Sequence, residues 1–547
     1  MSTMRVNTLS TLDGTVTKDV ADLIDTSQLS SQITSADTKQ EMENLPTANL
    51  SEGQVFQVKG SSFTYENSEF VPDESLNIKA FGAKGDGTTD DTAAFQAAFT
   101  WAAGSGSGRE LIIPAGRYIL TDSIVVDGNQ CNCNIRGVGS SISEIIWPTG
   151  ATEAGFKFGA TTPISRLYFS GLSLNTKMVS SNPALFVTCT GTGLKQFVMK
   201  DVIAYGDGLL GTPASGYFSG GFVLLRDAGQ SLIQDCVFYG VDGSRENFLL
   251  IPSAVTIEAV NSMMLVPHLV NVSCSYVGFP FYVESFNVPG IEGVVFDRCN
   301  GFCVNGLKVT AQASDNLAYY APQCNINNTQ IEFFETGIDL NHIAAATITN
   351  STLLHHPDSV TTGAGVFLTD VLKAVVENSY IEARPGTTLN GIRVGGSSES
   401  VIVTSNNMRI PTGYTGIIFE GASERCSQFL NKVEGGGELY ANTSSQSSTN
   451  SAVPYQEATE ISTTLDNGVV LKQGSRTVTV QANGEFSINW LSGFPNSLLG
   501  VTACSGDFAA YSGPIAIGVQ NVTGFGGRAE GVSAGIDIRV NYTALGT

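Results

Sequence analysis

The chain has 547 residues, 28 Lys and Arg against 50 Asp and Glu, and a net charge of −22. That charge argues against nucleic acid as a partner and against an anionic membrane surface. Only 14% of residues are charged and 42% are hydrophobic, so a large core is available, and 60 glycines suit many short strands joined by tight turns rather than helices.

No apolar run approaches the ~20 residues of a membrane span, so no membrane insertion is expected. The opening MSTMRVNTLSTLDG has no apolar h-region, so no signal peptide is expected. The ten cysteines are scattered. Cys131 and Cys133 lack the further ligands a zinc site needs, and the expectation is buried free thiols in a chain made in a reducing cytoplasm, with no metal and no cofactor.

Residues 1–75 are polar and acidic, and Ser51–Phe70 is expected to hold a small hairpin. Residues 76–130 read as a short strand at Ile78–Phe81, a glycine loop at Gly82–Gly87, a helix from about Asp91 to Ala103 capped by Thr89 or Asp90, and a strand at Leu111–Ile113. Phe95 and Phe99 share one face of that helix. The order Ala80-Phe81-Gly82-Ala83-Lys84-Gly85-Asp86-Gly87, then Asp90-Asp91-Thr92, then Pro114-Ala115-Gly116-Arg117-Tyr118, resembles the opening of pectate-lyase-type β-helix proteins, a family that includes bacteriophage tailspikes and capsule depolymerases. The resemblance implies an all-β, right-handed parallel β-helix closed at its N-terminal end by the helix. It also implies a homotrimer attached through residues 1–75 to a virion tail or adaptor protein and acting outside the bacterial cell.

Residues 131–441 carry two repeats that keep step. One is a turn residue before a short apolar strand: Gly171, Asp201, Asp235, Asn271, Asp297, Asn327, Asn350, Asn378, Asn406 and Asn431. The other is Gly-apolar-x-apolar, starting at Gly221, Gly278, Gly306, Gly337, Gly365, Gly391 and Gly416. A solenoid explains both, with Asn and Asp at tight bends and apolar strand residues buried between coils. Cys236, Cys274, Cys299, Cys303 and Cys324 fall on these strands or turns and are expected inside. Residues 442–454 read as a linker and 455–547 as a β-sandwich. The stretches at Phe486–Trp490, Asn521–Phe525 and Val540–Gly546 resemble phage tail-fibre C-terminal domains, which implies a trimer-stabilising or carbohydrate-binding cap.

Outward residues of successive coils stack about 4.8 Å apart and can follow a polymer. Four or five residues after the turn signal stand Tyr205, Tyr239, Tyr276, Glu332, His355 and Glu382. Tyrosine faces can stack on sugars and carboxylates can do acid–base work, so a bacterial surface polysaccharide is the expected partner. A second outward column is expected from Val223, Pro280, Lys308, Asp339, Phe367, Arg393 and Ile418, read as a surface charge ladder. For endoglycosidic hydrolysis Glu332 and Glu335 are the first candidate pair, with Asp242 and Glu246, beside Arg245, in the Gly240–Asn247 loop. A lyase would instead need a base, for which Tyr239 and the pair His355-His356 are the candidates, with a cation on the uronate. A receptor-binding fibre without activity is the third reading. No Gly-x-Ser-x-Gly elbow and no dense calcium loop is present.

Overall fold

The computed structural model describes residues 75–104, 108–128, 132–160, 166–189, 196–207, 215–261, 264–286, 290–311, 323–359, 362–446 and 450–452. It also describes shorter pieces at 8–10, 17–19, 34–36, 39–44, 55–59, 61–66 and 69–72, and the strands between 459 and 546.

The alternation of buried and outward residues in short strands builds a parallel β-solenoid. Each coil lays down three strands, as in Cys324–Asn327, Gln330–Phe333 and Thr336–Asn341, and each strand pairs in parallel with its equivalent one coil on. Three ribbons result. The third ribbon is a twelve-stranded sheet from Ile124–Gly128 to Glu438–Asn442. The interior is a set of apolar stacks: Phe296, Ile326, Ile348, Val376 and Val403 follow one another in register, all buried. The eight cysteines whose side chains are described are buried thiols, including the five expected inside.

The bend between the first two ribbons needs one residue in the left-handed region, where Gly, Asn and Asp are cheapest. It falls on Gly171, Asp201, Asp235, Asn271, Asn350 and Asn378, as the repeat suggests. Four bends correct the sequence reading by one position, to Arg298, Asn328, Ser405 and Leu430. At the last two, the neighbouring asparagine turns inward instead. Asn431 accepts from the Asn406 backbone at 3.0 Å, and Asn406 from the Ser379 backbone at 3.0 Å, so each satisfies a buried N–H of the preceding coil.

The Gly of Gly-apolar-x-apolar has a packing reason. A Cβ on Gly306 would lie 1.8 Å from the Gly337 carbonyl oxygen, and one on Gly391 would lie 2.3 Å from that of Gly416. Coils touch backbone to backbone along this column.

The N-terminal loop is built around Asp91. Its carboxylate accepts from the Lys84 and Gly85 backbone at 2.7 and 3.1 Å, while Gly85 sits against the Tyr118 ring at φ +62°. Asp91 itself, rather than Thr89 or Asp90, occupies the N-cap position of the helix Thr92–Ala103. Phe95 and Phe99 face the core, and Phe99 stacks on Phe156 at 5.1 Å, closing the solenoid end. The antiparallel strands Val55–Val58, Ser61–Glu66 and Glu69–Pro72 form the expected hairpin region, and Phe56, Val58 and Phe63 pack with Leu76 and Ala80. Solenoid pairing reaches Ser451–Ala452, which joins Ser427–Gln428. Beyond it lie two antiparallel sheets, one of four strands and one of three.

Candidate active site

On the second ribbon the outward column runs Tyr205, Tyr239, Ser275, Phe302, Glu332, Leu354, Glu382, Arg409. Tyr205, Tyr239, Glu332 and Glu382 take the ladder positions expected of them. Two others do not. A one-residue bulge between Ser275 and Val277 puts Tyr276 outside the register, at φ +63°. That backbone is strained for an aromatic residue, and the ring leans on Phe248 and Phe302. His355 is fully buried, with Leu354 in the outward place. Its Nε2 donates to the Phe334 carbonyl at 2.9 Å, and burial pushes its pKa down. His355 is therefore an interior packing residue, since strand alternation sends it inward, and it is corrected as a substrate contact.

The residue that does reach the face is His356. Its ring stacks on Phe334 at 4.3 Å and on Phe302 at 5.4 Å. Its Nδ1 accepts from the Asp358 backbone at 3.2 Å, so a neutral ring carries its proton on Nε2, 3.9 Å from a Glu332 carboxylate oxygen. Arg384 reaches the same oxygen at 3.4 Å. Glu332 is thus half-buried beside two cationic or donor groups, over an aromatic floor.

That floor is covered at one edge by the excursion holding the helix Arg245–Phe248. Phe248 is buried edge-on against Phe302 and Phe334, at 5.2 and 5.8 Å. Arg245 bonds Glu335, whose other oxygen accepts from Asn305 at 3.0 Å. Glu335 therefore anchors the excursion. Asp242 and Asn247 shape its turn: the Asp242 carboxylate accepts from the Gly243 backbone at 2.7 Å, and Asn247 donates to the Asp242 carbonyl at 3.0 Å. Glu246 is exposed at the start of the helix, where its own backbone N–H and Ser244 hold its carboxyl below the usual range. At the far end of the column Tyr205 donates to Glu144 at 2.9 Å, and Glu144 is held by Arg117 at 2.9 Å. Burial pushes the Tyr205 phenol up.

Sequence reasoning missed Phe302, Phe334, Phe248, Arg384 and Asn305, and named His356 only alongside His355 as a lyase base. Register would have found Phe302, one coil before Glu332. Arg384 and His356 lie just past strand ends, where alternation no longer says which way a side chain points. Phe248→Ala is expected to loosen the excursion, at a local cost of about 3–5 kcal/mol. Proteolysis at Gly240–Asn247 should speed up while the main thermal transition stays put.

The third ribbon corrects the second expected column. Its outward line runs Thr256, Tyr282, Lys308, Asp339, Phe367, Arg393, Ile418. Val223 and Pro280 are buried instead, because the outward positions of their strands are one or two residues on, at Leu224 and Tyr282. Lys308 and Asp339 pair at 3.3 Å as neighbours in the ladder, and burial raises the Asp339 carboxyl despite that cation.

Residues 75–155 match the family described as Rhamnogalacturonase A/epimerase, pectate lyase-like. The opening of the solenoid is pectate-lyase-like. The matched segment holds the Asp91 loop, the closing helix and the first coils. Comparison with curated proteins finds no match. Solved structures with a similar fold include the tailspike protein of Acinetobacter phage vB_ApiP_P1, at 15% identity and TM-score 0.41 over 94% of this chain and 99% of that one. Another is the tailspike gp49 of Acinetobacter baumannii bacteriophage Fri1, a capsular polysaccharide depolymerase, at 11% and 0.35 over 94% and 98%. A third is PfbA, a surface adhesin of Streptococcus pneumoniae, at 13% and 0.41 over 67% and 93%.

Proposed function

We propose that this protein is a phage tailspike that binds a bacterial surface polysaccharide along the second ribbon and cleaves it by endoglycosidic hydrolysis at Glu332. One observation carries the reading: a single outward column passes from Tyr205 and Tyr239, through the aromatic floor at Phe302, to Glu332 and Glu382. Rings supply stacking surface for sugars, and the carboxylates supply acid–base groups on the same line. Incubation with purified capsular and O-antigen polysaccharides, followed by size-exclusion chromatography with an ultraviolet trace, tests it. A drop in polymer size without new absorbance is expected. Binding with no drop in size makes the protein a receptor-binding fibre.

A lyase reading has its own observation, His356 standing beside the Arg384 cation at the same carboxylate. It requires an unsaturated uronate product, seen as new near-ultraviolet absorbance.

In this reading the chain works as a homotrimer, fixed to the virion tail or an adaptor through its N-terminal segment. The first ribbon offers the packing face. Its outward column Val198, Leu232, His268, Val295, Asn325, Thr347, Val375, Ile402, Ser427 carries no Asp, Glu, Lys or Arg, in a chain of net charge −22. Ile402 is 37% exposed. Ile402→Glu would place three like charges at such an interface, and light scattering should show trimer giving way to monomer. Unchanged mass would place the trimer contact elsewhere.

A further inference from the structure

The hydrolytic reading leaves the partner of Glu332 open, and register supplies it. Glu332 and Glu382 lie in the same outward column with Leu354 between them. Two steps of about 4.8 Å separate their backbones by about 9.6 Å. Inverting glycosidases hold their carboxyls roughly 6.5–9.5 Å apart to admit a water, whereas retaining ones need about 5 Å, the reach of adjacent coils. The intervening Leu354 has no polar side-chain atom to fill the gap. Glu335, the sequence-level partner, is held by Arg245 and Asn305 as the anchor of the excursion.

We infer that Glu332 and Glu382 are the acid–base pair of an inverting endoglycosidase, with the scissile bond of the polysaccharide lying across Leu354. This rests on the hydrolytic reading above. Arg384 at 3.4 Å and the Nε2 of His356 at 3.9 Å flank Glu332. Tyr380 donates to one of the Glu382 oxygens at 3.1 Å, and Arg409, itself 53% exposed, approaches the other at 3.3 Å. In the step, a water oxygen bonds to the anomeric carbon and the glycosidic C–O bond breaks. One carboxylate of the pair takes the water proton, the other, as the carboxylic acid, gives its proton to the departing oxygen, and proton exchange with solvent resets the pair between turnovers.

The test uses the full-length protein on a polysaccharide that it depolymerises. Proton NMR of the new reducing end, recorded in the first minutes before mutarotation, is expected to show the anomer opposite to the cleaved linkage. Glu332→Gln and Glu382→Gln should each lose about 100-fold or more in turnover, with polymer binding and melting temperature kept. Glu382→Asp should recover part of the loss. Glu258→Gln, on the third ribbon and paired with Arg226, should turn over like the parent. Retained configuration, or full turnover by Glu382→Gln, overturns this pairing and leaves hydrolysis standing. A product absorbing in the near ultraviolet, or no cleavage of any bound polymer, overturns hydrolysis and the pairing together.

Discussion

Glu332→Gln is expected to abolish depolymerisation while the protein still folds and still binds its polymer. The substitution keeps the shape of the side chain and removes its charge and its basicity. A positioned general acid or base contributes about 100- to 10,000-fold, so turnover should fall into that range or below detection. The structural cost is small. The Arg384 pair it breaks is 39% exposed on the arginine side, and pairs of that kind are worth about 1 kcal/mol or less. The aromatic floor of Phe302, Phe334 and His356 does not depend on the charge. Circular dichroism melting and polymer binding by the variant should therefore match the parent. Full turnover by Glu332→Gln would move the chemistry off the second ribbon, and the raised carboxyl of Asp339 on the third ribbon would be the next place to look.

The contrast between what was legible and what was not follows from the geometry of a coil. The solenoid announced itself because two constraints recur from coil to coil: a bend that needs a left-handed residue and, in most coils, a glycine that lets two backbones meet. Each leaves a residue type in the sequence at a fixed interval. The ladder was half legible for the same reason. Tyr205, Tyr239, Glu332 and Glu382 could be counted from the bend, but one added residue at Tyr276 shifts the count, and one residue separates an outward Leu354 from a buried His355. A side chain's face reverses with every residue along a strand, so an error of one is an error of side. The excursion was visible as charged residues near Gly240, yet its function as a cover could not be read. Its contacts join Arg245 to Glu335 and Phe248 to Phe334, pairs about three coils apart that no local pattern links. The bends at Arg298 and Leu430 show the remaining gap. There the left-handed residue is a poor one by propensity, and an interior asparagine or the stacked coils hold it in place.

The glycine column makes the sharpest demand on the fold, and Gly306→Ala is expected to cost more stability than removing any surface ion pair. The added methyl carbon would stand 1.8 Å from the Gly337 carbonyl oxygen and 2.9 Å from the Ile331 side chain. The first contact is with backbone, which cannot rotate away as a side chain can. That carbonyl belongs to a coil held on both sides by parallel pairing, Leu307 with Ile338 on one and Ile338 with Val366 on the other. Relief therefore requires two coils to part, losing ladder hydrogen bonds and opening a gap between stacked apolar side chains. Overpacking in a well-filled core costs about 1–3 kcal/mol, and a clash against fixed backbone belongs at or above the top of that range. The measurement is thermal or guanidinium unfolding of the soluble protein, with the yield of soluble protein as a second readout. Gly386→Ala is the control: it lies at φ +89° with nothing within 4 Å of its built Cβ, so it bears conformational strain without a clash. If Gly306→Ala loses no more stability than Gly386→Ala, then backbone contact between coils is not what fixes glycine in the repeat. A much larger loss at Gly306 identifies close coil-to-coil approach as the reason that the same residue returns at Gly337, Gly365, Gly391 and Gly416.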